Sequence, residues 1–213
     1  RSDLIVSAQA ILNDSSVAPR DELVFDRQFT GMDRTVHARP GFRFGISMAS
    51  SRIAAFESIN AENAKGWHTG DGMTYLYNDD LSQYNEDFWP TVDNYRLPGT
   101  TVLKNTPQKA NTRTDRSWVG GASILGQYGV SGMDLHTIDR TLEAKKSWFM
   151  FDDEVVALGA GITSTDGIGT ETIVENRKLT TAGTNALTVD SAAKPTPLGW
   201  SQAMTDVDTV HLA

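Results

Sequence analysis

The chain of 213 residues contains no cysteine. That absence excludes disulfides and zinc–thiolate sites and leaves the compartment open, since a chain without thiols suits oxidising and reducing surroundings alike. It also lacks any apolar run near the roughly 18 to 20 residues that a membrane-crossing helix needs. The residues that open the chain do not form a basic-then-apolar leader, which leaves open a leader already removed or lying upstream of Arg1. Basic charge is in short supply: 19 Lys and Arg stand against 27 Asp and Glu, a formal net charge of −8. Nucleic acid is therefore a poor partner, because phosphate binding needs a basic surface. No Gly-x-Ser-x-Gly elbow, no His-Glu-x-x-His pair and no phosphate-binding glycine loop followed by Lys occurs, which sets aside the common hydrolase, zinc-protease and nucleotide-dependent classes. There is neither an internal repeat nor a low-complexity tract.

Helical periodicity is nearly absent too. Only residues 3–12 place apolar side chains, Leu4, Ile5, Ala8, Ile11 and Leu12, at three- and four-residue steps, which predicts a helix end or packed linker. After Asn13, Asp14, Ser15, Ser16 and Pro19 the pattern changes to period two. Phe42, Phe44, Ile46 and Met48 alternate with Arg43, Gly45 and Ser47, as in a strand with one buried face. A second short strand is expected over Ile53, Ala55 and Glu57, and further strands at 73–77, 117–125, 130–138, 145–151, 155–162 and 170–174. Short turns with Gly120-Gly121, Gly126, Gly129, Asp152-Asp153 and Asp166-Gly167 separate them. Strand after strand without an intervening helix predicts an all-β, large antiparallel sandwich carrying a short helical N-terminal segment. Residues 1–20 then read as a helix end or linker, and 21–213 as one β domain. An alternating pattern still in progress at Thr209–Ala213 reads as a strand cut short, so the chain has the look of an excised module.

Two segments carry the functional signal. The run from Asn60 to Asn78, with Gly66-Trp67-His68-Thr69-Gly70-Asp71-Gly72 at its centre, is followed by Phe88-Trp89-Pro90 and by Arg96-Leu97-Pro98-Gly99. Gly and Pro fix the backbone paths of such loops, and Trp offers a flat apolar face to a sugar. The second segment is Lys145-Lys146-Ser147-Trp148-Phe149-Met150-Phe151-Asp152-Asp153-Glu154, continued by Glu171-Thr172-Ile173-Val174-Glu175-Asn176-Arg177. From about residue 39 to residue 178 the chain resembles the central β domain of the polysaccharide lyases that cleave hyaluronan, chondroitin and xanthan.

The resemblance implies a supersandwich of the galactose-mutarotase-like kind, a secreted bacterial enzyme and β-elimination on an acidic glycosaminoglycan, hyaluronan or chondroitin, with xanthan as the alternative polymer. It implies no cofactor and no metal. It also implies that the partners are the acidic polysaccharide, an upstream helical domain and a downstream β domain of the same polypeptide, with neither nucleic acid nor membrane. The Asn, His, Tyr and Arg of the reaction lie on the helical domain in that family, so this chain alone is expected to be inactive. What the β domain adds is a Glu in an Asn-x-Glu-Asn loop, here Glu62, which supports the proton-transferring Tyr. A non-catalytic carbohydrate-binding or scaffold role is the rival reading.

The neighbours of Glu62 have two readings each. Residues 60–63 form either this functional loop or a plain polar turn. Asn63 and Lys65 either donate to sugar hydroxyls or a carboxylate, or serve as a turn Asn and a solvated Lys. Trp67 is either a stacking platform or a core residue, and Trp89 is alike in this. His68 reads as structural. Asp152-Asp153-Glu154, with Asp79-Asp80 as a weaker echo, reads as a tight hairpin, since calcium-loop spacing is absent. An anionic polymer approaching an acidic chain is repelled within a Debye length of roughly 8 to 10 Å, so local cations are required. Arg43, Arg52, Lys65 and Arg96 are the candidates.

Overall fold

A computed structural model describes residues 2–180 and 183–213. It opens with helix α1 (Ser2–Asn13), whose residues are all solvent-exposed, Leu4 and Leu12 included. Among the described residues no helix is long and apolar enough to cross a membrane.

Four antiparallel strands follow, β1 (Phe25–Phe29), β2 (Arg34–Arg39), β3 (Phe42–Ser47) and β4 (Met73–Tyr77), side by side in chain order. A short helix α2 (Phe88–Thr91) and strand β5 (Thr101–Leu103) lead to a second sheet of β6 (Val119–Ile124), β7 (Tyr128–His136), β8 (Glu143–Met150) and β9 (Val155–Thr163), again antiparallel and in chain order. Strand β10 (Thr170–Thr172) pairs back onto β5. Then β11 (Leu187–Val189), β12 (Ala192–Lys194) and β13 (Val210–Leu212) form a small sheet with β11 in the middle. The alternating C-terminal segment is thus a paired strand.

The two four-stranded sheets face one another. Ile46 of β3 and Met48 just beyond it pack against Met133, Leu135, Ala144, Trp148 and Met150 from β7 and β8, all nearly without solvent contact. Alternation explains this directly: Ala144, Lys146, Trp148 and Met150 point inward while Lys145 and Phe149 point out. Burying a Trp and several long aliphatic side chains contributes about 1.5 to 3 kcal/mol each. Toward β1 the interior turns polar. Thr35 and Ser131 hydroxyls meet at 2.8 Å and share Gln28 Oε1, and Gln28 in turn donates to Asp26. Buried His37 joins this layer, its Nε2–H donating to the Phe151 carbonyl at 2.7 Å.

The sandwich and its antiparallel turns agree with the sequence reading. The hairpin at 151–154 closes through Phe151 N–H donating to the Glu154 carbonyl at 3.0 Å, and Asp152 pairs with Arg39 at 3.1 Å. The expected strand over residues 53–57 is not formed. Only an isolated bridge joins Ser50 to Ile53. Ala55 N–H donates instead to the Thr112 carbonyl and Asn111 N–H to that of Phe56, and Asn111 sits at φ 57°, a left-handed turn that ends any ladder.

Candidate functional site

The segment between β3 and β4 builds the site. Its base is buried and tied down. His68 Nδ1–H donates to Asp71 Oδ2 at 2.8 Å, Gln108 Nε2 donates to the same oxygen, and the Ser47 hydroxyl donates to the Thr69 carbonyl. Lys146, buried in the sheet below, donates to the carbonyls of Asp71, at 3.3 Å, and Gly99, and lies 5.6 Å from the Trp148 ring centre. Removal from water lowers its ammonium from an ordinary 10.5 to about 8, although the Asp71 carboxylate opposes the shift. Two glycines are required by contact. A Cβ on Gly70 would overlap the Ala55 carbonyl, and one on Gly66 would lie 2.6 Å from the Asn63 amide.

From this base an exposed loop rises over residues 59–65. Asn60, Ala61 and Asn63 all have φ between 53° and 62°. Asn tolerates that region, whereas Ala61 holds it at a cost of about 1 kcal/mol or more. The surroundings enforce the shape: Asn63 Nδ2 donates to the Glu57 carbonyl at 2.8 Å and the Ser58 hydroxyl to that of Glu62 at 2.7 Å. A second wall comes from 111–113. Asn111 clamps Ser58 from both sides, accepting from its N–H at 3.0 Å and donating to its carbonyl at 2.8 Å.

Between the walls lies a groove of about 670 Å³ whose lining includes Arg34, Arg52, Arg113, Glu57, Asn63 and Asn111. Three guanidiniums against one carboxylate make it locally cationic on a chain of net charge −8. Arg34 is spent on the carbonyls of Met32, Asp33 and Met48, and burial depresses its pKa. Arg52 pairs with Asp33 at 2.6 Å.

The expected site residues divide. Asn63 lines the groove, with its amide N–H committed to Glu57. Glu62 and Lys65 stand exposed on the loop, and neither side chain has a partner among the described residues. Trp67 is half-buried and stacks on Tyr95 at 4.7 Å between ring centres, outside the groove lining. Trp89 meets Phe88 edge-on and is 44% exposed. Of the four cations expected to draw an anion, Arg43 pairs with Glu22, Arg96 forks onto Glu171 through two 2.8 Å bonds, Arg52 is paired as above, and only Lys65 is unpaired. Glu57, Arg34, Asn111 and Arg113 went unrecognised in the sequence as groove residues. Asn111, a residue type that tolerates the left-handed backbone it adopts, was a local signal for the second wall.

The fold is an antiparallel sandwich with a cationic groove between residues 56–63 and 111–113. Known proteins of like sequence give its family. Residues 24–213 match the model of polysaccharide lyase family 8, super-sandwich domain, and the chain belongs to that family. It is 56% identical over 212 residues to a xanthan lyase of Bacillus sp. (strain GL1), covering 100% of this chain and 23% of that protein. With a hyaluronate lyase of Thermasporomyces composti it shares 41% over 213 residues, 98% of this chain and 27% of the relative. Among solved structures, Paenibacillus xanthan lyase superposes with a TM-score of 0.97 at 69% identity, over 99% of this chain and 20% of that one. Streptomyces coelicolor chondroitin AC lyase, in complex with chondroitin sulphate, gives 0.78 at 45%, over 87% of this chain and 26% of that one. The chain therefore spans only about a fifth to a quarter of the length of these relatives.

Proposed function

We propose that the chain is the central β module of a secreted bacterial lyase that cleaves an acidic polysaccharide by β-elimination. In that reaction the proton beside a uronate carboxylate leaves, the glycosidic oxygen departs with a proton, and a carbon–carbon double bond remains. An enzyme must neutralise the carboxylate, supply a base and protonate the leaving oxygen. The cationic groove walled by residues 56–63 and 111–113 is the observation that carries the reading, since it offers an acidic polymer a seat on an otherwise acidic chain. The base and acid come from a helical domain that precedes residues 1–20, the helix end or linker; residues 21–213 supply the β wall, and a further β domain follows.

Within that wall Glu62 supports the proton-transferring Tyr, with Asn63, Lys65 and Trp67 contributing to substrate binding. Glu62 is exposed, its carboxylate free for a group from another domain. Glu57 is a second candidate for the same role, favoured by its place in the groove lining. Of the polymers, hyaluronan and chondroitin follow from the resemblance read in the sequence. The higher identity and full coverage of xanthan lyases support xanthan.

The test is the ultraviolet absorbance of unsaturated uronate when the full-length polypeptide is mixed with xanthan, hyaluronan or chondroitin. We expect absorbance to rise, fastest with xanthan. No rise with any of the three overturns the reading.

A further inference from the structure

Arg113 is the one arginine of the groove lining with its guanidinium unspent. Arg34 donates to three backbone carbonyls and Arg52 to Asp33 and to the carbonyls of Ser117 and Val119. Arg113 has no hydrogen bond, ion pair or ring contact among the described residues. Glu57 shares the groove and still forms no ion pair with it.

The backbone under Arg113 is nevertheless fixed on both sides. Ala55 N–H donates to the Thr112 carbonyl at 3.4 Å and Ser51 N–H to that of Arg116 at 2.7 Å. One step further back, left-handed Asn111 grips Ser58 through two hydrogen bonds, and its own N–H donates to the Phe56 carbonyl at 3.1 Å. A backbone clamped to the opposite wall holds the root of the side chain in place, so a ligand has only the side chain itself left to order. A guanidinium presents parallel N–H donors that match the two oxygens of a carboxylate, and its charge persists at every working pH.

We propose that Arg113 is a specificity-determining residue that reads a carboxylate on a sugar unit of the substrate by a two-pronged hydrogen bond. The assignment rests on the lyase reading for the identity of the ligand and on the groove alone for its chemistry. It places a carboxylate reader on the 111–113 wall, opposite the loop that bears Glu62 and Asn63.

Calorimetric titration of the full-length polypeptide with a glucuronate-containing tetrasaccharide, and with the same tetrasaccharide after reduction of its carboxyl groups to alcohols, tests the assignment without any turnover. Wild type should favour the acidic form. Arg113→Ala should weaken the acidic form by about tenfold or more, the scale of a lost charge-assisted hydrogen bond, and leave the reduced form unchanged. Arg113→Lys, which keeps charge and loses the fork, should fall between. Equal binding of the acidic form by wild type and Arg113→Ala overturns the assignment, as does an equal loss for both sugars or a wild type that binds neither. A polypeptide that shows this pattern yet eliminates none of the three polymers would separate the failure of the lyase reading from the success of this one.

Discussion

Lys146 sets a stability test whose sign is unusual for a lysine. Its ammonium is buried beneath the site, bonded to the Asp71 and Gly99 carbonyls, and its pKa falls from 10.5 to about 8 because burial outweighs the nearby carboxylate. Below about pH 8 the group is charged in both folded and unfolded chains, and folding carries the full penalty. Between about 8 and 10.5 the folded chain releases the proton while the unfolded chain retains it, so stability rises with pH. At about 1.4 kcal/mol per pH unit the gain across that window approaches about 3 kcal/mol. Lys146→Met keeps the stem over Trp148 and removes the titration. Urea midpoints measured for both chains from neutral pH to about 10.5 should diverge, wild type gaining on the variant as pH climbs. Parallel curves would refute the claim that this ammonium is charged and desolvated under the loop.

Other outcomes follow from the same geometry. Gly70→Ala forces a methyl into the Ala55 carbonyl and should cost about 1 to 3 kcal/mol, read as a lower thermal midpoint. Asn111→Ala removes both bonds to Ser58 from a left-handed residue and should cost about 2 kcal/mol, while Asn111→Gly, relieved of the backbone strain, should cost less. The chain on its own should give no unsaturated uronate from xanthan, hyaluronan or chondroitin at a rate comparable to a complete lyase.

How far the sequence could be read depended on what each buried face is made of. Strand β4 was legible to the residue because Met73-Thr74-Tyr75-Leu76-Tyr77 is aromatic and ends in a turn, and β8, expected at 145–151, was found within two residues at each end. Strands β1 and β2 left no such trace. Their inward residues are Asp26, Thr35 and His37, polar groups satisfied mainly by partners across the sandwich that local alternation cannot foresee. Residues 53–57 misled in the opposite sense, since Ile53 and Ala55 alternate as a strand would while their backbone pairs with a turn. The loop at 60–65 announced itself through Asn, Gly and Trp. Its opposite wall is some fifty positions away in the chain, and the Asn111 clamp, with the backbone bonds of Ala55 to Thr112 and of Ser51 to Arg116, brings Arg113 and Glu57 to one groove.

We propose that this β module contributes a carboxylate to proton transfer in a larger lyase, and the initial rate of the full-length polypeptide tests it most directly. Glu62→Gln should lower turnover on the preferred polymer by ~10² or more, the scale of a displaced acid or base, with the thermal midpoint unchanged. Glu57→Gln, measured beside it, shows whether the role belongs to the groove wall instead. Wild-type turnover in both variants would contradict the account.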